Sequence, residues 1–182
     1  MKTELKAKFL QHLLGKKKED EGFTLIELLV VIIIIGILSA IALPSFLSQA
    51  AKSKQTEAKT FVGAVNRAQQ AHRMENITFS ADLPSLQVNI PTQTEYYGYA
   101  ILTANYDYTL SAIANGPTAT ISASAQDPSS VKGYSGAVII SAPTGDAPSI
   151  ICQTTGVQGS TNTSGLTPSS ATQCPTSMEI LK

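Results

Sequence analysis

The chain has 182 residues, with 13 basic and 13 acidic side chains and two cysteines. This length has room for a short leader, one membrane helix and one domain of about 100 residues, and it excludes two large domains. Six lysines crowd residues 1–22, whereas residues 76–182 hold two lysines and six acids. The acidic C-terminal part argues against a nucleic-acid surface there, because such a surface needs clustered Lys and Arg.

A long apolar run follows the polar, lysine-rich start. Between residues 23 and 43 the polar side chains are Thr24, Glu27 and Ser39, so a helix here would extend roughly 30 Å and span the hydrocarbon core of a bilayer. Lysines before the run predict that this end stays cytoplasmic and that the rest of the chain is exported. Glu27 is a functional candidate, because a carboxylate at mid-membrane costs on the order of 3 kcal/mol.

The alternative for this start is an ordinary secretory signal peptide, cleaved at the small-x-small sequence of residues 48–50. Such a signal has an apolar core of about 7 to 15 residues and no carboxylate in its first turns. The longer run and Glu27 therefore favour a cut before the run, at Gly22, which keeps the apolar helix in the product.

The sequence Gly22-Phe23-Thr24-Leu25-Ile26-Glu27 resembles the prepilin signature of type IV pilins and their pseudopilin relatives. The similarity continues to Pro44, and the segment up to Lys59, with its long leader, is most similar to major pilins of the cyanobacterial type. It covers about the first third of the chain. The resemblance implies that a membrane aspartyl peptidase, the prepilin peptidase, cuts after Gly22 on the cytoplasmic side and methylates the new N-terminus at Phe23.

The chemistry of this motif can also be argued from its residues. Gly22 has no side chain to block a peptidase active site. Cleavage would create an α-amino group at Phe23, about one helical turn from Glu27. Since neither charge is tolerated alone in an apolar bundle, we predict that Glu27 pairs with the amine of another subunit, or of its own chain, and directs assembly. The alternative is an interfacial Glu27 that extends to lipid headgroups.

Gly36 and Pro44 are the weak points of the apolar helix. Proline inside a helix costs about 3 kcal/mol, and glycine costs about 1 kcal/mol relative to alanine. We predict that residues 36–44 are the section most prone to kink or melt. The resemblance implies that this section can lose helix in a fibre and allow extension under load, whereas a gentle kink in a membrane helix is the alternative.

After Pro44 the pattern becomes amphipathic, and the helix is predicted to continue to about Glu75, roughly 80 Å from Phe23. Apolar residues recur at steps of three, four or seven, the spacing of one helix face. This face is predicted to pack against the head, and it comprises Ala51, Ala58, Phe61, Val62, Val65 and Ala68.

Residues 76–95 contain two prolines and no helical period, which predicts a loop across the head. Strands are then predicted at residues 96–102, 106–114, 118–125, 134–141 and 149–153. Turn residues and the absence of intervening helices favour an antiparallel sheet of about four strands packed on residues 58–74. The fold class is α+β and pilin-like: a long N-terminal helix on an antiparallel sheet, with a C-terminal disulfide loop.

Cys152 and Cys174 are the two cysteines, and both follow the membrane run. Export permits a disulfide, and closure would hold a tail rich in Ser, Thr and Gly that otherwise has little to order it. We predict that Cys152 and Cys174 are bonded. Two unrelated thiols are the alternative.

Other chemistry finds little support. His12 and His72 lie far apart, so we predict no catalytic triad, no metal site and no cofactor. Five of the six tyrosines lie between Tyr96 and Tyr108, where strand spacing favours half-buried sheet residues over an exposed adhesive surface. Residues 76–78 and 162–164 fit the N-glycosylation pattern, which is weak by chance alone.

The sequence predicts three parts: a leader at residues 1–22, a transmembrane and filament-core helix half at 23–51, and an amphipathic helix half with a β head at 52–182. By resemblance the protein is a non-enzymatic major pilin precursor. Its partners would be membrane lipid, the prepilin peptidase, the inner-membrane assembly machinery and further copies of itself, with no direct nucleic-acid binding by the head.

The resemblance also implies an order of locations and a set of roles. The precursor would wait in the inner membrane as a single-pass protein, and the product would join an extracellular helical filament. That filament would serve twitching motility, adhesion and DNA uptake, and separate ATPases would power its retraction. The alternatives are a minor pilin, a secretion pseudopilin or a tethered adhesin that does not polymerise.

Overall fold

A computed structural model describes residues 22–76, 78–103, 118–141, 145–159 and 170–181, together with Lys8, Gln11 and Pro168. The predicted strand 106–114 and most of the predicted leader lie outside the described residues. The helix and strands are α1 (Leu25–Glu75), β1 (Tyr97–Thr103), β2 (Thr118–Ala125), β3 (Tyr134–Ile139), β4 (Ser149–Thr154) and β5 (Met178–Ile180). A 3₁₀ turn at Pro84–Leu86 lies in the predicted loop.

The chain divides into two units between Leu47 and Ser48. In the first unit α1 is apolar on every side, and its large side chains are exposed, from 44% for Leu29 to 81% for Leu25. It is the one helix in the described part of the chain that is long and apolar enough to cross a membrane. A helix that is apolar all round is stable only when lipid or protein surrounds it.

In the second unit, which we call the head, α1 is amphipathic as predicted. Ala58, Val62 and Val65 are buried, and Ala51, Phe61 and Ala68 pack against the same core while partly buried. This stripe lies on the sheet because its spacing places the apolar side chains on one helix face. The core is completed by residues of β1, β2 and β3 and by the loop residues Leu83 and Leu86.

Within the described residues, the sheet has five antiparallel strands in the order β1-β2-β3-β4-β5, and each pairs with the strand next to it in that order. Ile101 of β1 lies opposite Ile121 of β2, Ile121 opposite Gly136 of β3, and Gly136 opposite Ile151 of β4. The antiparallel prediction is confirmed, and three predicted strands match β1, β2 and β4 closely. The predicted strand 134–141 ends two residues earlier, at Ile139.

Strand β5 was not predicted. It has three residues, of which Met178 is buried and the other two are exposed. Cys152, Gln153 and Thr154 of β4 pair with it. So short a strand has no alternation long enough to be recognised, and it exists because the chain returns to the edge of β4.

Candidate assembly site

The first turn of α1 is closed by Thr24 and Glu27. The Thr24 backbone N–H donates to Glu27 Oε2 at 2.9 Å, and the Thr24 hydroxyl donates to the same oxygen at 2.7 Å. In return, the Glu27 backbone N–H donates to Thr24 Oγ1 at 3.3 Å. This is a capping box, in which two side chains satisfy N–H groups that a helix start leaves without intrahelical partners.

The predicted cleavage residues precede this cap. Gly22, Phe23 and Thr24 are non-helical and α1 begins at Leu25. Phe23 is 84% exposed. In the part of the chain that the structure describes, no atom beyond the chain neighbours of Gly22 lies within 4 Å of the position that its Cβ would occupy. The bond between Gly22 and Phe23 therefore lies in exposed, non-helical backbone that a peptidase can reach.

Glu27 carries the one ionisable side chain between Phe23 and Ala51. It is exposed in this structure, together with the apolar side chains around it. Its carboxylate can do two things: cap its own helix, as seen, or pair with a cation that arrives from outside. In apolar surroundings the second would be required, because an unpaired charge is costly there.

The predicted weak section is helical throughout. Gly36 and Pro44 both lie inside α1, which runs without interruption from Leu25 to Glu75. Apart from the neighbouring helix backbone, no atom of the described residues lies within 4 Å of the position that a Cβ on Gly36 would occupy. The structure shows this helix without any load. The yielding of residues 36–44 under load therefore stays a prediction.

In the head, Glu57 of α1 binds the start of the sheet. Its Oε1 accepts hydrogen bonds from the Thr94 hydroxyl and, at 3.0 Å, from the Tyr99 hydroxyl. The Tyr97 hydroxyl donates to the backbone carbonyl of Lys132 at 2.8 Å. Each buried hydroxyl of β1 therefore has an acceptor, as burial requires.

Amide side chains of α1 bind backbone groups of the head. Asn66 donates to the Ile150 carbonyl at 3.1 Å. Gln69 makes two bonds to Ser80, donating to its carbonyl and accepting from its N–H, both at 2.9 Å. Gln70 donates to the Ala147 carbonyl at 2.7 Å. These bonds satisfy polar backbone groups of β4 and of two loops, and they hold these segments against the helix.

The tyrosines in the described part of the sheet are more deeply buried than predicted. Tyr97 is 0% exposed and Tyr99 is 4% exposed, and Tyr106 and Tyr108 lie outside the described residues. Burial raises the pKa of both Tyr97 and Tyr99, and for Tyr99 the bond to Glu57 adds to the increase. Burial also raises the pKa of Tyr134 to about 12. These side chains are core residues and not an adhesive surface.

The predicted disulfide is present. Cys152 and Cys174 are bonded, with their Cα atoms 5.8 Å apart. Cys152 lies in a small second core with Ala137, Ile139 and Met178, on the face of the sheet that points away from α1. The bond holds the chain before β5 to β4, so β5 is fixed by both covalent and ladder bonds.

Sequence reasoning missed Thr24, Glu57, Asn66 and Gln69. The Thr24 role was readable, because Thr-x-x-Glu before an apolar run is a capping-box pattern. Glu57, Asn66 and Gln69 left only a weak signal, polar residues at or beside the apolar stripe, and their partners come from distant parts of the chain. Among the described residues, no group of three His, Cys, Asp or Glu side chains could hold a metal ion.

Comparison with known proteins identifies two matching family models. Residues 55–175, more than half of the chain, match the family described as "Type IV pilin-like G and H". Residues 17–43 match the "Prokaryotic N-terminal methylation motif". The two matches divide the chain much as the structure does, one over the head and one over the start of α1.

Similar proteins have related names. The chain is 43% identical over 88 residues to the type IV major pilin protein PilA of Myxococcus xanthus, a match covering 48% of this chain and 40% of that protein. It is 30% identical over 79 residues to the type II secretion system core protein G of Pseudomonas aeruginosa, covering 43% and 56%. It is 34% identical over 88 residues to the fimbrial protein EcpC of Eikenella corrodens, covering 48% and 58%.

The chain thus spans about half the length of the curated relatives that it matches. None of the three names describes an enzyme. Two of them name pilus or fimbrial proteins, and one names a component of a secretion system.

Proposed function

Because this chain belongs to the type IV pilin-like G and H family, we propose that it is the precursor of a major pilin whose product polymerises into a type IV pilus. The observation that carries the proposal is the part of α1 in the first unit. This part of the helix is apolar on every side and exposed, and its one charged side chain is Glu27. Such a helix exchanges lipid neighbours for like helices at little hydrophobic cost. A membrane-held precursor and a filament subunit can therefore share one structure.

Processing is the first step of the proposed route. The prepilin peptidase would cut between Gly22 and Phe23 and methylate the Phe23 amine, as the match to the N-terminal methylation motif supports. Exposed, non-helical backbone at these residues suits the cut. We keep the proposed three-part division at residues 22 and 51, in which the helix half at 23–51 becomes the filament core.

Assembly is the second step. The amine at Phe23 would pair with Glu27 of another subunit, or of its own chain, and set the axial register. Glu27 now caps its own helix through Thr24, and its oxygens can accept further bonds because a carboxylate has about four acceptor positions. The pairing is favourable in a dry core, where each charge alone would be costly.

The filament is proposed to leave the inner membrane and extend outside the cell, where it would serve twitching motility, adhesion and DNA uptake. Similarity to a major pilin and to a fimbrial protein supports this role. The partners would be the assembly machinery of the inner membrane and further copies of the chain. Retraction would be powered by separate ATPases.

A pseudopilin of a secretion system, or a minor pilin, is the second candidate. Similarity to the type II secretion system core protein G favours it. Abundance separates the two, because only a major subunit dominates fibres sheared from the cell surface.

Substitution of Glu27 tests the proposed assembly step. Glu27→Ala removes both the cap and the charge, whereas Glu27→Gln keeps an acceptor for Thr24 and removes the charge alone. If the charge pairs with the amine, both variants are processed and inserted in the membrane but absent from sheared fibres. Ser39→Ala, which removes another polar group from the same apolar segment, is the matched control and should give normal yield. Normal fibre yield from Glu27→Gln would contradict the pairing.

A further inference from the structure

The head carries opposite charge on the two sides of α1. Because the strand order is β1 to β5, β1 and its loop lie on one side of the helix, and β4 and β5 lie on the other. We call these sides the β1 flank and the β4 flank. Each is defined below by the α1 residues that contact it.

The β1 flank is acidic. Glu57 binds Thr94 and Tyr99, and Lys54 Nζ lies 5.0 Å from the centroid of the Tyr96 ring. Glu75 follows Phe61, which contacts Tyr99, by two steps of seven residues and so lies on the same side of the helix. Among the described residues, this flank has four acids and one base, three negative charges in excess: Glu57, Glu75, Glu95 and Asp127 against Lys54.

The β4 flank is basic. Asn66 binds the Ile150 carbonyl, and Arg67 lies beside Gly63, whose other neighbour is Ile151. Lys52 and Lys59 precede Asn66 by steps of seven residues, so they lie on the same side of the helix. The described residues of this flank hold five bases and two acids, three positive charges in excess: Lys52, Lys59, Arg67, Arg73 and Lys132 against Asp146 and Glu179.

We propose that the basic β4 flank of one subunit binds the acidic β1 flank of the next copy in the filament. This inference rests on the proposed function. A contact between two different surfaces of the same chain is heterologous, and when its rotation does not close a ring it builds an open helical polymer. Complementary charges speed the encounter and fix its register.

A second copy fits both flanks, and other partners fit only one. A nucleic acid or an anionic lipid surface would be attracted to the β4 flank and repelled by the β1 flank. Only a partner that carries both charges in comparable excess accounts for the two sides together, and this chain is such a partner. The occupant we commit to is therefore another copy of the chain.

Charge reversal in the full-length protein tests the contact through the yield of sheared fibres. Lys52→Glu with Arg67→Glu makes the β4 flank negative, and Glu75→Lys with Glu95→Lys makes the β1 flank positive. All four side chains are exposed, so the head core is left in place. We expect the first pair to lower the yield by about tenfold or more, because apposed like charges cost several kcal/mol and each 1.4 kcal/mol is tenfold.

Combining the two pairs of substitutions is the decisive arm. If the flanks touch, the four-residue variant gives more fibre than the first pair alone, because the repulsion is removed. If the two losses simply multiply, or if the second pair restores nothing, the flanks do not meet and the proposal is wrong. If the second pair restores nothing, the β4 flank would instead bind another partner, such as an anionic polymer.

The control exchanges Lys132 with Glu179, whose side chains are 3.0 Å apart. Lys132→Glu with Glu179→Lys makes two reversals without changing the charge of the flank, so normal yield is expected. The outcome is also separable from the proposed function. If the unsubstituted chain is absent from fibres, the pilin role fails, whereas normal fibres from all charge variants overturn only the flank contact.

Discussion

Gly136 decides how closely α1 approaches the sheet. A Cβ placed on Gly136 would lie 2.5 Å from Val62 Cγ1 and 2.9 Å from Asn66 Oδ1. Real Cβ atoms do not come so close to these groups, and both neighbours are buried. The absent side chain is what allows β3 to lie directly under the helix.

Gly136→Ala should therefore destabilise the head. Overpacking a close-packed site costs about 1 to 3 kcal/mol, and loss of the Asn66 bond to Ile150 would add to it. Denaturant unfolding of the full-length protein in detergent, followed by the near-ultraviolet circular dichroism of the buried tyrosines, measures the free energy of unfolding. A stability equal to that of the unsubstituted protein would mean that α1 does not lie so close to β3.

Gly63→Ala is the matched control, because Gly63 belongs to α1 and faces β4. A Cβ there would lie 3.6 Å from an Arg67 nitrogen and 3.7 Å from Ile151 Cδ1, both ordinary contacts. Alanine is favoured over glycine in a helix by about 1 kcal/mol. This variant should be at least as stable as the unsubstituted head.

These residues show what a sequence can reveal of the site. Gly22, Phe23 and Glu27 were identified because a local motif holds them together, and their proposed roles remain predictions. Gly136 could not have been identified, since its importance depends on Val62 and Asn66, more than 60 positions away in the chain. Glu57 was hidden for the same reason, because its partners Thr94 and Tyr99 belong to other elements.

Helix α1 is the element on which the proposed filament mechanics depend. It is continuous through Gly36 and Pro44, although proline removes one intrahelical bond and clashes with the preceding turn. We expect the section between these residues to lose helix first when a filament is pulled. Gln55 accepts a hydrogen bond from the Tyr134 hydroxyl at 3.2 Å. The part of the helix from Gln55 to Gln70 is held to the head by this and the other side-chain bonds, which should resist the same load.

Gly36→Leu combined with Pro44→Ala should stiffen a filament. The two substitutions remove local penalties of about 1 and 3 kcal/mol, so the section melts at higher force. Force-extension measurements on single sheared fibres should then show less extension at a given load. Ile37→Leu, a change of shape within the same section, serves as the control, and equal extension in all three fibres would contradict a yielding role for this section.

Most elements could be predicted because their patterns are local. The apolar run, the stripe of Ala58, Val62 and Val65, and strand β2 follow from spacing alone. Strand β5 could not, because three residues carry no period, and its place depends on the Cys152 to Cys174 bond and on β4. The disulfide itself was predictable only as a pairing of two cysteines that follow the apolar run, without the strand that it secures.

At the scale of the whole molecule, one chain contains both an apolar helix section, residues 25–47, and a folded head. The head buries its apolar side chains in its own core, whereas the helix up to Leu47 leaves its apolar side chains exposed. Folding of one chain therefore leaves surface that must be covered by lipid or by protein. This incomplete burial agrees with a subunit that is stored in a membrane and used in a polymer.

We propose above that the chain is cut after Gly22 and then polymerises. Mass spectrometry and N-terminal sequencing of fibres sheared from the cell surface test both parts at once. We predict abundant protein that starts at N-methylated Phe23 and retains the Cys152 to Cys174 disulfide. A start at Ala51, as after an ordinary signal peptide, or absence of the protein from fibres would contradict it.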